Sequence, residues 1–281
     1  MLRLLWGICC ILICQNHDAQ MQRRTFVQHE LGFFAGGSYY LGDLNPLAHF
    51  KGSQPASGAY YRMALSHRYA LRTAFSYGTL FADDALSTEP FQTERNLRFE
   101  APLYELALTG EFNFVDYRIG HKTDRFSFFI FSGIAGYYFQ PRAVINNQRV
   151  ALNELKTEGQ ASAYSNKGFS IPFGVGLKFN FGQRAGIALE WGLRKTFNDY
   201  LDDVSTVYKL TGIEGIPQNR TGSMRGNPNN TDWYSFYGVN LCFKLPSRRG
   251  PCYSNGSGYW KKIKHIKLRT KQKRKKRHGF I

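Results

Sequence analysis

The chain has 281 residues, a formal net charge of +17, 16% aromatic residues and 28 glycines. Residues 247–281 hold thirteen Lys and Arg and no Asp or Glu, so the other 246 residues carry a net charge of only +4. No run of eighteen apolar residues follows the first fifteen, which argues against a helical membrane protein. Abundant aromatic residues and glycines without such runs favour an all-β chain, and a membrane barrel in particular.

Residues 1–20 are predicted to be a signal peptide. Arg3 supplies positive charge, the apolar stretch LLWGICCILIC follows it, and the polar flank QNHDAQ allows cleavage after Ala19 or Gln20. Export argues against nuclear and ribosomal roles, and we predict no nucleic acid as a partner. Three of the five cysteines are lost with this segment. The mature chain keeps Cys242 and Cys252, for which a disulfide and free thiols both stay open.

Residues 21–246 are predicted to form an eight-stranded antiparallel up-and-down transmembrane β-barrel. The segment 170–181, SIPFGVGLKFNF, shows the pattern most clearly, since large apolar residues alternate with small or polar ones. The segment 125–139 is apolar on both parities, so its inward face is ambiguous. Together, the predicted strands cover residues 27–40, 57–66, 69–79, 103–114, 125–139, 170–181, 185–197 and 232–245.

The connections between the predicted strands alternate between long and short. The short ones lie near 66–68, 116–123 and 182–184, and the long ones near 41–56, 80–101, 140–168 and 199–231. Outer-membrane barrels show this alternation, with short periplasmic turns and long extracellular loops. Because the strand number is even, both termini lie on the short-turn side. We therefore predict a protein of the cell outer membrane with both termini in the periplasm.

The small and polar parity of the strands carries charges of both signs between glycines and alanines. An eight-stranded barrel has an interior just wide enough for its own side chains, and an unpaired buried charge is costly. We therefore predict a lumen that is plugged by a balanced network of ion pairs. Its members are four acids and four bases: Glu30, Glu105, Glu111, Glu190, Arg62, Arg72, Lys178 and Arg194.

Two other interpretations of the alternating strands stay open. In a secreted soluble β-sandwich or lipocalin-like barrel, the apolar parity would face inward and the polar parity would face water. The glycines and the balanced charges argue against it, because a solvated surface is usually richer in Lys, Glu, Gln and Asn. The second is a general outer-membrane channel or small-molecule-binding barrel, which conductance in planar bilayers would separate from a plugged one.

Six stretches of the sequence occur in order with compatible spacing: ELGFFAGGSYYLGDLNP, YRMALSHRYALR, EFNF, SIPFGVGLKFNF, TFNDYLDDVSTVY and TDWYSFYGVNL. Together they resemble the PorG family of outer-membrane proteins from Bacteroidetes, over about residues 30–245. The resemblance implies an accessory subunit of the type IX protein secretion system, which exports proteins across the outer membrane and serves gliding motility in some species. It also implies association with the periplasmic ring of PorK and PorN, and no known catalytic residues.

Enzymatic activity at the outer rim is a further alternative, as in lipid-modifying or proteolytic barrels. Such enzymes need His, Ser or Asp close together. His49 lies in a predicted outer loop, where it could meet Asp83, Asp84, Asp202 and Asp203. Because these residues are scattered over three loops, we predict that the protein is not an enzyme.

The cluster of Asp199, Asp202 and Asp203 in NDYLDDVS is open to two interpretations. Calcium requires several oxygen ligands from a shaped loop, and the spacing of known calcium loops is lacking here. We therefore predict aspartates that cap backbone N–H groups just beyond the seventh strand. The sequence shows no metal, nucleotide or phosphate-loop spacing, so no metal and no cofactor are predicted.

Residues 247–281 are predicted to be a basic periplasmic tail that is disordered in isolation. The family resemblance does not extend to it. Its cations would either keep the chain soluble in transit or bind an acidic surface, such as a ring subunit or the phosphates of outer-membrane lipids. The candidate contact residues are Lys261, Lys262, Lys264, Lys267, Arg269, Lys271, Lys273, Arg274, Lys275, Lys276 and Arg277.

Overall fold

The computed structural model describes residues 27–46, 48–121, 123–145, 148–209, 222–228 and 230–246. The predicted signal peptide, 1–20, and the basic tail, 247–281, therefore lie outside the described residues. By its internal contacts the chain divides after Leu245, and every element named below belongs to the unit Met1–Leu245.

Ten strands occur in the described residues, and eight of them close into an antiparallel barrel. They are β1 (Gln28–Leu41), β2 (Gln54–Ala64), β3 (Tyr69–Asp83), β4 (Arg98–Asn113), β5 (Phe126–Phe139), β6 (Arg142–Ile145), β7 (Gln148–Ala151), β8 (Lys167–Phe181), β9 (Ala185–Thr196) and β10 (Trp233–Lys244). The barrel order is β1-β2-β3-β4-β5-β8-β9-β10, and β10 pairs back onto β1. The short strands β6 and β7 form a hairpin that meets β4 at Glu100 and Arg142. The predicted eight-stranded antiparallel barrel is confirmed.

The burial of side chains along the strands is inverted relative to a water-soluble protein. Leu106 is 59% exposed and Ile134 is 66% exposed, whereas Glu105 is 1% exposed. Large apolar side chains thus point outward on every barrel strand and polar ones point inward. A wall of this kind suits lipid, and it would be insoluble in water. The interpretation as a soluble β-sandwich or lipocalin-like barrel, with its apolar parity inward, is therefore wrong.

The segment 125–139, which is apolar on both parities, forms β5, and its two faces differ in burial. Phe129 and Phe131 point into the barrel and are almost fully buried, while Ile130 faces outward. Glycines on the facing strands make room for the two rings. A Cβ on Gly192, for example, would lie 2.6 Å from Cζ of Phe131, closer than real Cβ atoms approach. The inward glycines therefore accommodate aromatic rings as well as charged side chains.

Two long connections contain regular structure that the alternation of the sequence did not indicate. The ladder between β3 and β4 continues to Asp83 and Arg98, so β3 runs four residues past the predicted 79 and β4 begins five residues before the predicted 103. The connection 140–168 contains the β6–β7 hairpin and the first residues of β8. Strand segments beyond the bilayer need no apolar outer face, so they lack the alternating pattern. The second strand, which was predicted at residues 57–66, spans Gln54–Ala64 in the structure.

Short helices occur only in the long connections of the described residues. A single 3₁₀ turn, Asp84–Leu86, precedes the helix Pro90–Arg95, and a further turn of helix spans Leu152–Leu155. Within the described parts of the chain, none of these helices is long and apolar enough to cross a bilayer.

The two ends of the barrel are closed differently. We call the side with the connections after β1, β3, β5 and β9 the loop end, and the other side the short-turn end. At the loop end the connections pack over the barrel mouth, where Tyr40, Phe99 and Leu201 belong to one buried apolar cluster. At the short-turn end, Tyr117 and Ile119 from the turn 114–125 are buried. Both ends are therefore filled by side chains.

Candidate functional site

Glu111 is the centre of the charged residues in the half of the barrel near the short turns. Its carboxylate accepts hydrogen bonds from Nε of Arg62 at 2.6 Å and Nζ of Lys178 at 2.5 Å. Nε of Arg72 lies 3.3 Å from the other oxygen of this carboxylate. Arg62 also donates from Nη1 to Glu30 at 2.8 Å. All five side chains are buried. Glu111 therefore faces three cations inside the barrel, and Glu30 is a second carboxylate for Arg62.

Two further ion pairs lie nearer the loop end. Arg72 donates to both carboxylate oxygens of Glu190, at 2.5 and 3.1 Å. Arg194 donates hydrogen bonds to Glu105 at 3.2 and 3.4 Å. The same carboxylate accepts a hydrogen bond from the hydroxyl of Tyr234 at 2.7 Å. The structure thus places all eight side chains named from the sequence inside the barrel and pairs each of them. We call these eight residues the lumen charge network.

Aromatic rings fill the space that the lumen charge network leaves. Nζ of Lys178 lies 4.0 Å from the ring centre of Phe129, and the guanidinium carbon of Arg72 lies 4.9 Å from that of Phe131. Cations over ring faces at these distances are attracted by the ring quadrupole. The space that remains beside Arg72 and Arg194 has a volume of about 20 Å³. A single water needs roughly 10–15 Å³, so this space holds about one.

The short-turn end presents a buried thiol. Sγ of Cys242 lies under Tyr117 and Ile119 and contacts the carbonyl oxygen of Gly186 at 3.2 Å. Cys242 is a free cysteine in the structure. The second mature cysteine lies outside the described residues, so the pairing considered from the sequence stays open.

Buried ion pairs tie the connections of the loop end together, and we call this packed region the loop cap. Arg95 forms a two-pronged pair with Asp84, at 2.7 and 2.9 Å. Arg225 pairs with Asp203 at 3.1 Å and with Glu158 at 3.4 Å. Arg95 also donates to the carbonyl oxygen of Arg225 at 2.7 Å, which joins the two pairs. Four separate stretches of chain are therefore held in one arrangement.

The hydroxyl of Tyr40 is shared by two buried aspartates in the loop cap. It lies 2.6 Å from Asp202 and 2.6 Å from Asp232. A hydroxyl has one proton, so it can donate to only one carboxylate, and the second short contact requires a protonated carboxyl as the donor. Burial raises the pKa of Asp202 and Asp232 well above the usual range, and the charge of Asp202 raises that of Asp232 further. The trio therefore holds a proton that ordinary aspartates would have lost at neutral pH.

The structure divides the Asp199, Asp202 and Asp203 cluster among different roles. Asp202 accepts the backbone N–H of Val204 at 3.0 Å, which is the predicted capping. Asp203 instead accepts hydrogen bonds from Thr157 and pairs with Arg225, so capping is wrong for this residue. Burial raises the pKa of Asp199 to about 7. Over the described residues, no group of three or more His, Cys, Asp and Glu is placed to hold a metal ion.

His49 has aromatic rather than acidic partners. Its Nδ1 lies 3.0 Å from the hydroxyl of Tyr39, and its ring centre lies 5.8 Å from that of Trp191. Asp84 is engaged by Arg95, and Asp83 caps the backbone N–H of the following 3₁₀ turn. The structure therefore gives the residues considered for rim catalysis separate sets of partners.

The residues that hold the loop cap together were not found from the sequence. Arg95, Glu158 and Arg225 lie in connections without a periodic pattern, so no parity assigns them a face. A usable signal was the apolar residues inside the connections, such as Leu201, because they predict a packed loop rather than a solvated one. The eleven candidate contact residues of the basic tail lie outside the described residues.

Solved barrels of outer membranes are similar to the chain in fold. The N-terminal β-barrel domain of Pseudomonas aeruginosa OprF has 11% identity and a TM-score of 0.36, covering 78% of this chain and 100% of that one. Ail of Yersinia pestis, in complex with the heparin analogue sucrose octasulfate, has 8% identity and a TM-score of 0.40, covering 78% and 99%. Neisserial surface protein A has 8% identity and a TM-score of 0.36, covering 77% and 97%.

Sequence comparison places the chain in a family whose function is not assigned. Among curated proteins, none matches the chain significantly. Residues 2–256 match the family model described as "Domain of unknown function (DUF6089)", and the chain therefore belongs to that family.

Proposed function

We propose that the chain is a non-enzymatic, integral outer-membrane subunit of the type IX protein secretion system, in which it anchors or completes the periplasmic ring of PorK and PorN. The observation that carries the anchoring role is the filled lumen. The secretion system itself comes from the resemblance of six sequence stretches to the PorG family. Neither support depends on a catalytic residue, a metal or a cofactor.

The filled lumen favours an anchor over a channel. A conducting path would have to separate the pairs of Arg62 and Lys178 with Glu111, which are among the shortest contacts in the barrel. Breaking a buried pair by removing one partner costs roughly 3–5 kcal/mol. Steady conductance would require several such separations at once. A subunit that attaches other components to the membrane needs only the stable wall.

The basic tail is the proposed contact with the ring. In the predicted orientation it follows β10 into the periplasm, on the side of the short turns. The eleven Lys and Arg of residues 261–279 would bind an acidic surface of a ring subunit, and lipid phosphates are the second available anion. An attraction of this kind between exposed charges weakens as salt shortens the Debye length, which is about 8 Å at 0.15 M and 3 Å at 1 M.

A pull-down from outer membranes tests the proposed role. The tagged protein should recover PorK and PorN, and truncation after Ser247 should reduce their recovery without reducing barrel insertion. A variant whose tail has the same composition in scrambled order is the matched control, and it should retain binding because the charge is unchanged. Absence of ring subunits from the wild-type pull-down would refute the role. Full recovery with the truncated chain would refute the tail contact alone.

The alternative of a general outer-membrane channel or binding barrel is compatible with the fold and is separated by conductance. The purified barrel in planar bilayers should show no steady current. A stable open level in the wild-type protein would support the channel and contradict a lumen plugged by ion pairs.

A further inference from the structure

A pocket of about 420 Å³ lies at the loop end beside the upper part of β4. Residues 98–102 of β4 pair with β3 on one side, but β5 begins to pair with β4 only at Leu103. On that open side the β6–β7 hairpin meets β4 at the single pair Glu100–Arg142. The pocket fills the gap between them. Its volume falls in the range of about 300–1,000 Å³ that is typical of sites for small ligands.

The body of the pocket is apolar. Phe99, Leu152 and Val204 line it and are almost fully buried, and Leu97 and Leu155 line it as partly buried neighbours of the same cluster. These side chains come from β4, the short helix Leu152–Leu155 and two long connections, so separate parts of the loop cap converge on it. An apolar group that enters the pocket would be transferred from water to contact with leucine and phenylalanine side chains. The free energy of this transfer is favourable in proportion to the apolar area buried.

The charged side chains at the base of the pocket already have ion-pair or hydrogen-bond partners. Asp202 is bound to Tyr40, and Arg225 is bound to Asp203 and Glu158. A ligand that reaches the base therefore meets charges that are already paired, although Nε of Arg225 is buried without a hydrogen-bond partner. This favours an apolar group at depth over a sugar or a polar peptide segment.

The rim of the pocket is positively charged. Arg98, Arg142 and Arg149 line it together with the one carboxylate of Glu100. The side chains of Arg98 and Arg149 are 69% and 68% exposed, and each forms one long ion pair, at 3.8 Å with Asp83 and at 3.9 Å with Glu100, beyond hydrogen-bond distance. Guanidinium groups bind carboxylates and phosphates through two parallel hydrogen bonds. Three such groups around an apolar pocket are complementary to one anionic head on one apolar chain.

We propose that this pocket binds an anionic amphiphile, in which a carboxylate or phosphate contacts Arg142 and Arg149 and an apolar chain occupies the space lined by Phe99, Leu152 and Leu155. The proposal goes beyond the proposed anchoring role and does not depend on it. A free amphiphile and a membrane lipid present the same chemistry to the pocket, and the experiment below distinguishes them.

Photo-crosslinking tests the proposal with the mature full-length chain in nanodiscs of zwitterionic phosphatidylcholine. The probe is dodecanoate with a terminal diazirine, and the matched control probe is the corresponding dodecanol. Mass spectrometry should locate saturable crosslinks of the dodecanoate probe at residues 97–99 and 152–155. Unlabelled dodecanoate and dodecyl phosphate should compete, and dodecanol should not. Crosslinks confined to the outer wall of the barrel would show bulk lipid only and would overturn the proposal.

Variants of the rim separate a site from general affinity. Arg142→Gln combined with Arg149→Gln should weaken probe binding by about tenfold or more, since a hydrogen bond to a charged group contributes roughly that factor. Arg184→Gln removes an exposed guanidinium at the short-turn end and should change nothing. Heat-dependent migration on gels verifies that each variant is folded. Equal labelling by both probes, or no effect of the rim variants, would refute the anionic head.

Competition against the crosslinking probe shows whether the ligand comes from the membrane or from water. Anionic lysophosphatidylglycerol placed in the nanodisc should reduce labelling if membrane lipid reaches the pocket through the bilayer. Soluble dodecanoate should compete equally in discs with and without that lipid if the ligand arrives from water. Either outcome supports the site. Failure of both anions to compete, or competition by an acidic peptide alone, would contradict it.

Discussion

Neutralising Glu111 is the sharpest test of the lumen charge network. Its carboxylate forms ion pairs with Arg62 at 2.6 Å, Lys178 at 2.5 Å and Arg72 at 3.3 Å. Glu111→Gln keeps the shape of the side chain but removes its charge. Arg62 and Arg72 then keep the carboxylates of Glu30 and Glu190, whereas Lys178 keeps neutral partners, such as Oδ1 of Asn113 at 3.1 Å, and loses its carboxylate. The lumen therefore gains one uncompensated positive charge.

The expected loss of stability follows from that uncompensated charge. Removing one partner of a buried ion pair costs roughly 3–5 kcal/mol, because the remaining charge stays desolvated. Lys178→Met costs less, since Glu111 retains two arginines. Combining Glu111→Gln with Lys178→Met restores neutrality. The double variant should recover about 0.5–3 kcal/mol of the loss, which is the range of interaction energies between residues in contact.

Urea unfolding in phosphatidylcholine vesicles, followed by tryptophan fluorescence and by the folded fraction on unheated gels, measures these changes. Glu89→Gln is the matched control, since Glu89 is exposed and its side chain makes no capping hydrogen bond. It should stay within about 0.5 kcal/mol of the wild type. A Glu111→Gln barrel as stable as the control, or a double variant with no recovery, would contradict a stabilising role of the Glu111 ion pairs.

Three further predictions concern packing, pH and the thiol. Gly176→Val should destabilise the barrel by about 1–3 kcal/mol, because its side chain would overlap the ring of Phe129, whereas Gly110→Ala on the outer wall should be neutral in the same unfolding assay. The raised pKa of Asp199, about 7, means that the folded state keeps a proton that the unfolded state loses near pH 4. Stability should therefore fall as pH rises from 4 to 7, and Asp199→Asn should flatten that slope; an unchanged slope contradicts the assignment. The Cys242 thiol should react with maleimide only after unfolding, in a variant whose other mature cysteine is serine, and rapid labelling of the folded barrel would contradict its burial.

The barrel wall was predictable because lipid imposes a period of two on the sequence. Glu105 and Leu106 are neighbours in β4, yet the first is buried and the second faces outward. Once the parity of each strand is known, the inward charges follow, and their balance of signs indicates pairing. Which acid pairs with which base was not predictable, because the partners are set by distances across the lumen. Glu111 and Lys178, for example, lie on β4 and β8, which are not neighbours.

The loop cap was not predictable by the same reasoning. Arg95 and Asp84 are eleven residues apart and meet because the 3₁₀ turn and the helix Pro90–Arg95 fold back on each other. Arg225 reaches Asp203 and Glu158 from other connections. Contacts between loops depend on tertiary closure and leave no period in the sequence. The sequence consequently gave no indication of the ion pairs or of the pocket.

The arrangement of the lumen charge network explains why the barrel is expected to lose stability before it opens. Arg62 and Arg72 are direct cross-strand partners on β2 and β3, and two like charges in such positions repel each other. Glu111 relieves that repulsion from β4, and it reaches across the lumen to Lys178 on β8. A shift of one residue in strand register would turn these side chains into lipid, so the pairs also fix the register. Because the same contacts hold opposite walls together, neutralising one of them removes support from the closed barrel rather than clearing a path through it. The Glu111→Gln variant should accordingly unfold more easily and still carry no current, whereas conduction without loss of stability would show that the network is a gate.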